Sequence, residues 1–392
     1  MTSIYEDALN LFDYTRSLRR DFHRFPELGF QENRTSAIIT RELGSIGLDV
    51  KTGIGKTGVV ALLEGGRPGP VILLRFDMDA LPIQETTDVD FKSQNQGVMH
   101  ACGHDGHIAV GLTTARILNN HRSEFAGKIK FIFQPAEEGL GGAESMISDG
   151  VLDKPKPDIA LALHLWNEIP IGSFGITPGS MMAAGDIFHV RIHGKGGHGA
   201  LPHLANDPVL TAVNVITTLQ TIVSRNVSPL QTAVVSVTTI NGGEAFNVIP
   251  PWIDLQGTIR TFEPQVRERV LEKFSLIVEG ISSAMGCRAE IDVIKLTPAV
   301  INDARISGCI STLASQLFPT CTIDTSFRTM VSEDMAYILQ NIPGCMFFIG
   351  SANSEKGFTA AHHHPNFNFD EQALIYATTL ITSSAIRISH GL

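Results

Sequence analysis

The sequence is poor in the features that mark several classes of protein. Basic residues are few: 30 Lys and Arg stand against 40 Asp and Glu in 392 residues, which gives a formal net charge of −10. A nucleic-acid-binding protein needs a basic patch or stripe, so we expect no nucleic-acid partner. No uncharged apolar run reaches the length of about 18 residues that crosses a bilayer, so we expect no membrane span. The opening segment, MTSIYEDALNLF, contains no Lys or Arg, unlike the start of a signal peptide.

Cysteine is also scarce, and its pattern is informative. The five cysteines, at positions 102, 287, 309, 321 and 345, are scattered and form no CxxC pair. An odd, dispersed set argues against a disulfide framework and favours a reducing compartment, so we expect a cytoplasmic protein. Hydrophobic residues make up 43% of the chain and charged residues 18%, which predicts a sizeable buried core. The length predicts two or three domains.

The order of predicted elements indicates two domains, one inserted in the other. Short apolar runs at 59–64, 71–76, 128–133 and 159–164 read as buried strands, and a helical pattern covers about 107–119. Strands that alternate with helices predict an α/β domain with a mainly parallel sheet. Residues 185–297 instead follow the order β-α-β-β-α-β of a ferredoxin-like α+β domain. We therefore predict one discontinuous domain, 1–184 with 298–392, and an inserted domain, 185–297.

Two helix starts are predicted with a specific cap. Asp207 followed by Pro208 is typical of a helix N-terminus, because Asp caps free amides and Pro fits the first turn. A second helix is expected at about 332–341 with Ser332 as its N-cap.

The segment MHACGHDGH, residues 99–107, concentrates residues that bind metal ions. It places Cys102, His104 and Asp105 between two further histidines, His100 and His107. Thiolate and imidazole are ligands for borderline-soft divalent metals, so the segment predicts a metal site. Taken individually, His100 and His107 are expected to have structural roles.

The segment FQPAEEG, residues 133–139, directly follows a predicted buried strand. Paired carboxylates at the end of a strand are costly without a positive charge, and a metal ion supplies one. One of Glu137 and Glu138 could bind the metal while the other serves as a general base. A solvated acidic loop is the alternative. Asp77 and Asp79 also follow a predicted strand, His164 ends another, and open α/β sheets place their sites at the carboxyl ends of strands.

The glycine-rich segment GKGGHGALPH, residues 194–203, lies in the inserted domain. It lacks the spacing of a phosphate-binding loop, and the chain contains neither HExxH nor GxSxG. His198 is either a turn residue or a catalytic residue, because glycine neighbours let the backbone approach a ligand closely.

Ten motifs in order resemble the metal-dependent aminoacylase and carboxypeptidase family of metallopeptidases. The chain is most similar to the branch of hippurate hydrolases, indoleacetyl-amino-acid hydrolases and bacterial N-acyl-L-amino-acid amidohydrolases. The motifs are RRDFHRFPELGF, RFDMDALPI, HACGHDGH, FQPAEEG, ALHLW, GKGGHGALPH, FNVIP, GTIRTF, SEDMAY and HHHPNF. The resemblance covers nearly the whole chain. It implies a zinc-peptidase-like catalytic domain, 1–184 with 298–392, and a lid and dimerisation domain, 185–297.

The resemblance also implies residue roles. Glu137 matches the general base, and His198 matches a residue that stabilises the oxyanion in the partner subunit's site. Asn247 and Arg260 match residues that contact the substrate. The metal-ligand positions are occupied by Cys102, His104, Glu138, His164 and His363. One or two divalent ions per subunit are implied, and the ligand types suit Zn, Mn, Co or Ni.

These observations predict a metal-dependent amidohydrolase that cleaves N-acyl-L-amino acids, hippurate-like compounds among them, to a carboxylic acid and an amino acid. The resemblance implies a homodimer or homotetramer. A carboxypeptidase or dipeptidase using the same site is one alternative. A non-catalytic metal-dependent binder is an alternative of a different class.

Overall fold

A computed structural model describes residues 2–391 and divides the chain into two compact units. Unit 1 contains the chain up to Gly179, Ile301–Arg328 and the chain from Asp334 onward. Unit 2 contains Ser180–Val300 and Thr329–Glu333. The functional division into a catalytic domain and a lid domain stays a prediction.

The helices and strands have the following bounds. The helices are α1 (Thr2–Asn10), α2 (Phe12–Arg24), α3 (Asn33–Ser45), α4 (His104–Asn120), α5 (Gly142–Ser148), α6 (Pro208–Thr221), α7 (Pro264–Ala284), α8 (Ala304–Leu317), α9 (Met335–Asn341) and α10 (Ala373–Ser389). The strands are β1 (Asp49–Ile54), β2 (Gly58–Glu64), β3 (Arg67–Asp77), β4 (Ala126–Gln134), β5 (Ile159–Pro170), β6 (Ser173–Gly175), β7 (Gly179–Met182), β8 (Ala184–His193), β9 (Gly197–His198), β10 (Ala233–Asn241), β11 (Val248–Ile249), β12 (Trp252–Thr261), β13 (Arg288–Thr297), β14 (Val300–Asn302), β15 (Thr322–Asp324) and β16 (Gly344–Ala352). Within residues 2–391, no helix is long and apolar enough to cross a membrane.

Unit 1 is built on an eight-stranded mixed sheet. Its strand order is β1-β2-β4-β3-β5-β16-β6-β15, and the four central strands, β4, β3, β5 and β16, are parallel neighbours. These strands are apolar along most of their length, as expected for strands covered on both faces. Helix α4 approaches the sheet closely at Gly111, where an added Cβ would lie 2.7 Å from Phe76 and 2.8 Å from Phe133. The predicted mainly parallel α/β sheet is confirmed.

Unit 2 contains a four-stranded antiparallel sheet in the order β10-β12-β8-β13. Its core includes side chains from alternate positions of β8 and from one face of α7, among them Phe188, Val190, Ile192, Val266, Val270, Phe274 and Val278. The buried side chains are two residues apart on the strand and four residues apart on the helix, which is the amphipathic pattern of each element. Helices α6 and α7 complete the ferredoxin-like order β-α-β-β-α-β, as predicted.

The two predicted helix caps have different outcomes. Helix α6 begins at Pro208, and the Asp207 carboxylate accepts hydrogen bonds from the amides of Val209 and Leu210, so that prediction is confirmed. The predicted cap at Ser332 is wrong, because α9 begins at Met335 with Asp334 in the N-cap position. The Asp334 side chain does not cap the helix either, since buried partners described below occupy its carboxylate.

Candidate metal and catalytic site

Polar side chains meet at one level of the parallel sheet in unit 1. Asp77, the last residue of β3, pairs with Gln134, the last residue of β4. His164 in β5 lies at the same level, two residues beyond Ala162, which pairs with Arg75. The prediction that His164 ends its strand is wrong, because β5 continues to Pro170. The site nevertheless forms at the carboxyl ends of β3 and β4.

Cys102 and His104 reach this edge from the turn that starts α4. Gly103 between them has φ 91°, a left-handed conformation that glycine adopts without steric cost, and α4 begins at His104. The Cys102 Sγ lies 3.6 Å from His164 Nε2. The ligand atoms of Cys102, His104 and His164 all lie within 4.8 Å of one another. Three of the predicted metal ligands are therefore brought together.

Glu138 and His363 join this group from two other loops. The Glu138 Oε1 lies 3.3 Å from His363 Nε2. Cys102, Glu138 and His363 form a second group of potential ligands, and His104, Glu137 and Glu138 form a third. The His363 amide donates a hydrogen bond to the carbonyl of Ala101, which ties its loop to the residue before Cys102. All five predicted ligand positions thus belong to one connected cluster.

Hydrogen bonds fix the tautomers of two of the histidines. The Nδ1 of His104 bonds to the main-chain oxygen of Asp79 at 2.9 Å, and the Nδ1 of His164 bonds to that of Leu165 at 2.7 Å. Each Nδ1 therefore carries a proton and leaves Nε2 as the ring nitrogen that can bind a metal, as in metal-binding histidines. The Nε2 of His104 is buried and has no hydrogen-bond partner within residues 2–391. This orphaned ring nitrogen, beside a thiol and carboxylates, fits a divalent metal ion.

His107 has a different role from these two histidines. Its Nδ1 bonds to Asp77 Oδ1 at 2.5 Å, and its Nε2 accepts the amide hydrogen of Leu165 at 3.0 Å. Both ring nitrogens are engaged, so His107 holds Asp77 in place rather than offering a ligand atom.

The electrostatics of the cluster favour a bound cation. Burial, together with the charges of Glu138 and Glu137, raises the pKa of the Cys102 thiol well above its usual value. Burial lowers the pKa of His104, but the carboxylates Asp77 and Asp79 outweigh it and raise this pKa to about 10. Both shifts reflect an excess of buried negative charge, which a divalent cation neutralises while holding the thiol as thiolate.

Glu137 lies beside this cluster, in one group of potential ligand atoms with His104 and Glu138. Its side chain is buried, and its Oε1 accepts a hydrogen bond from the Asp334 amide at 3.4 Å. The Asp334 carboxylate accepts hydrogen bonds from Arg75 Nη2 at 2.9 Å and from Gln134 Nε2 at 2.8 Å. Arg75 also donates to Asp77 Oδ2 at 2.6 Å. A buried network therefore connects the residues next to the metal cluster with the segment that orients Glu137.

The remaining predicted site residues belong to unit 2. His198 in β9 pairs with Val248 of β11, and the Gly199 amide donates to the carbonyl of Asn247, the residue directly before β11, at 2.8 Å. His198 and Asn247 are both exposed. Arg260 in β12 is half-buried and donates to the main-chain oxygen of Ile259 at 3.1 Å. Burial lowers its pKa.

Sequence reasoning missed several residues that shape the site. The sequence does carry a signal for Arg75, since an arginine inside the apolar run VILLRF must find a buried partner. Asp334 lies in a recognised motif, SEDMAY, but nothing in the pattern indicates that it pairs with Arg75.

Metal loading is expected to stabilise the protein. After chelation, adding Zn, Mn, Co or Ni should raise the unfolding temperature, because an ion that binds only the folded state contributes about 2.7 kcal/mol at 100 times its Kd. Differential scanning fluorimetry against metal concentration measures the effect. Mg, which prefers oxygen ligands, serves as the control. Equal stabilisation by Mg, or none by the four softer ions, would contradict the assigned ligand set.

Comparisons with known proteins agree with this geometry. The model of peptidase family M20/M25/M40 matches residues 73–387. The chain is 42% identical over 371 residues to an N-acetyl-L-cysteine deacetylase of Bacillus subtilis, covering 95% of this chain and 87% of that protein. It is 35% identical over 388 residues to thermostable carboxypeptidase 1 of Saccharolobus solfataricus, covering 98% of each. The crystal structure of a dinuclear metal-binding peptidase of the M20 family from Bacillus subtilis superposes with a TM-score of 0.86, at 35% identity, covering 98% of this chain and 99% of that one. The chain therefore belongs to peptidase family M20/M25/M40, in its amidohydrolase branch, and is a metal-dependent hydrolase that binds one or two divalent ions.

Proposed function

We propose that this enzyme hydrolyses the amide bond of N-acyl-L-amino acids, hippurate-like compounds among them, to a carboxylic acid and a free amino acid. One observation carries the proposal: a buried carboxylate, Glu137, lies in the same group of atoms as His104 and Glu138. A general base beside a metal-ligand cluster is the arrangement that amide hydrolysis requires. We propose Cys102, His104, Glu138, His164 and His363 as the ligands.

The chain's own groups supply the proton transfers. When bound, a divalent ion polarises the substrate carbonyl and lowers the pKa of water. Glu137 takes the proton of the attacking water and afterwards delivers it to the leaving nitrogen. The hydrogen bond from the Asp334 amide holds one Glu137 oxygen in position.

Three residues of unit 2 are proposed to act on the substrate. His198 would stabilise the tetrahedral oxyanion in the partner subunit's site, a role in which one donor contributes about 2.7–4 kcal/mol. Arg260 would pair with the substrate carboxylate, which its planar guanidinium fits with two hydrogen bonds. The contacts of Arg260 with the main-chain oxygens of Asp186 and Ile259 do not neutralise its charge. Asn247 would contact the substrate carbonyl.

The assembly and location are also proposals. We propose a homodimer or homotetramer, as the family resemblance implies. We propose a cytoplasmic location, which the five free cysteines support, since free thiols persist in a reducing compartment.

The second candidate function is that of a carboxypeptidase, which the likeness to the Saccharolobus carboxypeptidase favours. Both reactions leave a product with a free carboxylate, so the proposed role of Arg260 does not separate them. The two reactions differ in the group that supplies the carbonyl of the cleaved amide bond. This group is an acyl group for the amidohydrolase and a peptide for the carboxypeptidase.

A substrate panel tests the proposal. Chelated protein is reloaded with Zn, Mn, Co or Ni, and amino-acid release is measured from N-benzoyl, N-acetyl and indoleacetyl amino acids and from unblocked dipeptides. We expect metal-dependent release from the acylated compounds. Release only from the dipeptides would favour the peptidase. No release with any metal that binds stoichiometrically would favour a non-catalytic binder.

A further inference from the structure

The residue before the proposed base has an unusual backbone conformation. Ala136 has φ 55°, in the left-handed region that residues other than glycine rarely adopt. Such a conformation persists only where the surroundings fix it, and it is found most often at functional sites. Because Ala136 directly precedes Glu137, its backbone conformation sets the direction in which the Glu137 side chain points.

A buried carboxylate fixes the conformation of Ala136. Glu32 is fully buried, and its Oε1 accepts the hydrogen bond of the Ala136 amide at 3.0 Å. The other carboxylate oxygen accepts a hydrogen bond from the Thr57 hydroxyl at 2.5 Å. In the next peptide unit, which joins Ala136 to Glu137, the Ala136 carbonyl accepts a hydrogen bond from the Gly142 amide at 3.0 Å. Both main-chain polar groups of Ala136 are therefore held.

Close packing removes the remaining freedom of this loop. A Cβ at Gly29 would lie 3.0 Å from the Cα and Cβ of Ala136, and a Cβ at Gly142 would lie 1.7 Å from the Pro135 carbonyl oxygen. Gly29 and Glu32 belong to the segment FPELGFQE, residues 25–32, whose motif has no role in the proposed chemistry. The same segment also contacts the chain just after β3, because the Ala80 amide donates a hydrogen bond to the Glu27 carbonyl at 2.8 Å.

We propose that Glu32 is a positioning residue for Glu137 and acts through the backbone of Ala136. The inference rests on the proposed function of Glu137 as the base. Glu32 contacts neither substrate nor metal ligand in this role; it stabilises the one loop conformation that aims the Glu137 carboxylate.

Kinetics of Glu32 variants test the proposal. Glu32→Ala should lower kcat about tenfold, the equivalent of the free-energy cost of an unsupported left-handed residue. KM should stay within about twofold, because a misdirected base affects the chemical step and not binding. Glu32→Gln should recover most of the loss, since its amide oxygen can still accept the Ala136 hydrogen bond. Glu85→Ala is the matched control: it removes another buried carboxylate, one that accepts the Ser93 amide at 2.7 Å, and should leave kcat near the wild-type value.

A second substitution separates positioning from a general loss of structure. Glycine adopts the left-handed conformation without penalty, so Ala136→Gly added to Glu32→Ala should restore part of kcat. A readout independent of activity is hydrogen exchange of the segment 130–142. Exchange at Ala136 should accelerate in Glu32→Ala and not in Glu85→Ala.

The outcomes are distinguishable. If Glu137→Gln abolishes turnover but Glu32→Ala keeps both wild-type kcat and slow exchange at Ala136, the positioning role is overturned and the proposed function stands. If Ala136→Gly restores nothing in the Glu32→Ala background, the role through the Ala136 backbone is likewise overturned. If Glu137→Gln is fully active, the proposed function itself fails.

Discussion

Replacing Glu137 with glutamine is expected to lower kcat by at least about 100-fold, the low end for loss of a general base. Glutamine keeps the size of the side chain and can still accept the hydrogen bond from the Asp334 amide. It cannot take a proton from water at neutral pH. Because Glu137 is not among the proposed ligands, the metal content of the loaded protein should not change. Steady-state kinetics and metal analysis of the same preparation check both expectations.

Two neighbouring carboxylates provide the controls. Glu138→Gln should lower metal content, since Glu138 lies in the ligand groups with Cys102 and His363. Glu144→Gln changes an exposed residue of α5, seven positions after Glu137, and should alter neither kcat nor metal content. A Glu137→Gln enzyme with normal turnover, or a Glu138→Gln enzyme with full metal and full activity, would show that the two adjacent carboxylates have been assigned incorrectly.

Part of the proposed ligand cluster can be predicted from the sequence because several of its residues are close together in the chain. Cys102 and His104 are two residues apart, and Glu137 and Glu138 are adjacent, so residue type alone indicates a metal site. Their meeting with His164 follows from the strand order, since parallel neighbours bring their carboxyl ends to one edge. The register of β3 and β4 brings the two glutamates to the same edge, because Asp77 pairs with Gln134, which lies next to the loop that carries them.

The support around the cluster could not be predicted, because it is made by contacts between distant segments. Glu32 and Ala136 are 104 positions apart, and Arg75 and Asp334 are 259 apart. No local pattern records such a pairing. The wrong cap at Ser332 has the same origin: local propensity favours Ser at a helix start, but the chain there is fixed by Asp334, whose carboxylate is held by Arg75 and Gln134. The short helix α5 was also missed, because its start at Gly142 resembles a loop.

Arg75 is expected to be the most costly charged residue to replace. It is buried in β3, and its guanidinium donates to Gln134 Oε1 at 2.9 Å, to Asp77 Oδ2 at 2.6 Å and to Asp334 Oδ1 at 2.9 Å. Arg75→Met keeps the bulk but removes the guanidinium that pairs with two buried carboxylates, Asp77 and Asp334. Breaking a buried pair in this way costs about 3–5 kcal/mol. In a domain of this size the unfolding temperature should fall by about 10 °C.

Thermal unfolding of the metal-loaded variants measures this effect and shows whether it comes from burial. Arg16→Met is the matched control, because Arg16 pairs with Asp13 at the surface, where an ion pair contributes little. Arg75→Lys should fall between the two, since it restores a positive charge but cannot reach all three partners of a planar guanidinium. Adding Asp334→Asn to Arg75→Met should recover part of the loss, because one of the two carboxylates that lose the guanidinium is then uncharged. A decrease for Arg75→Met no larger than that for Arg16→Met would mean that water or rearrangement solvates Asp77 and Asp334, and that the network does not hold this edge of the sheet.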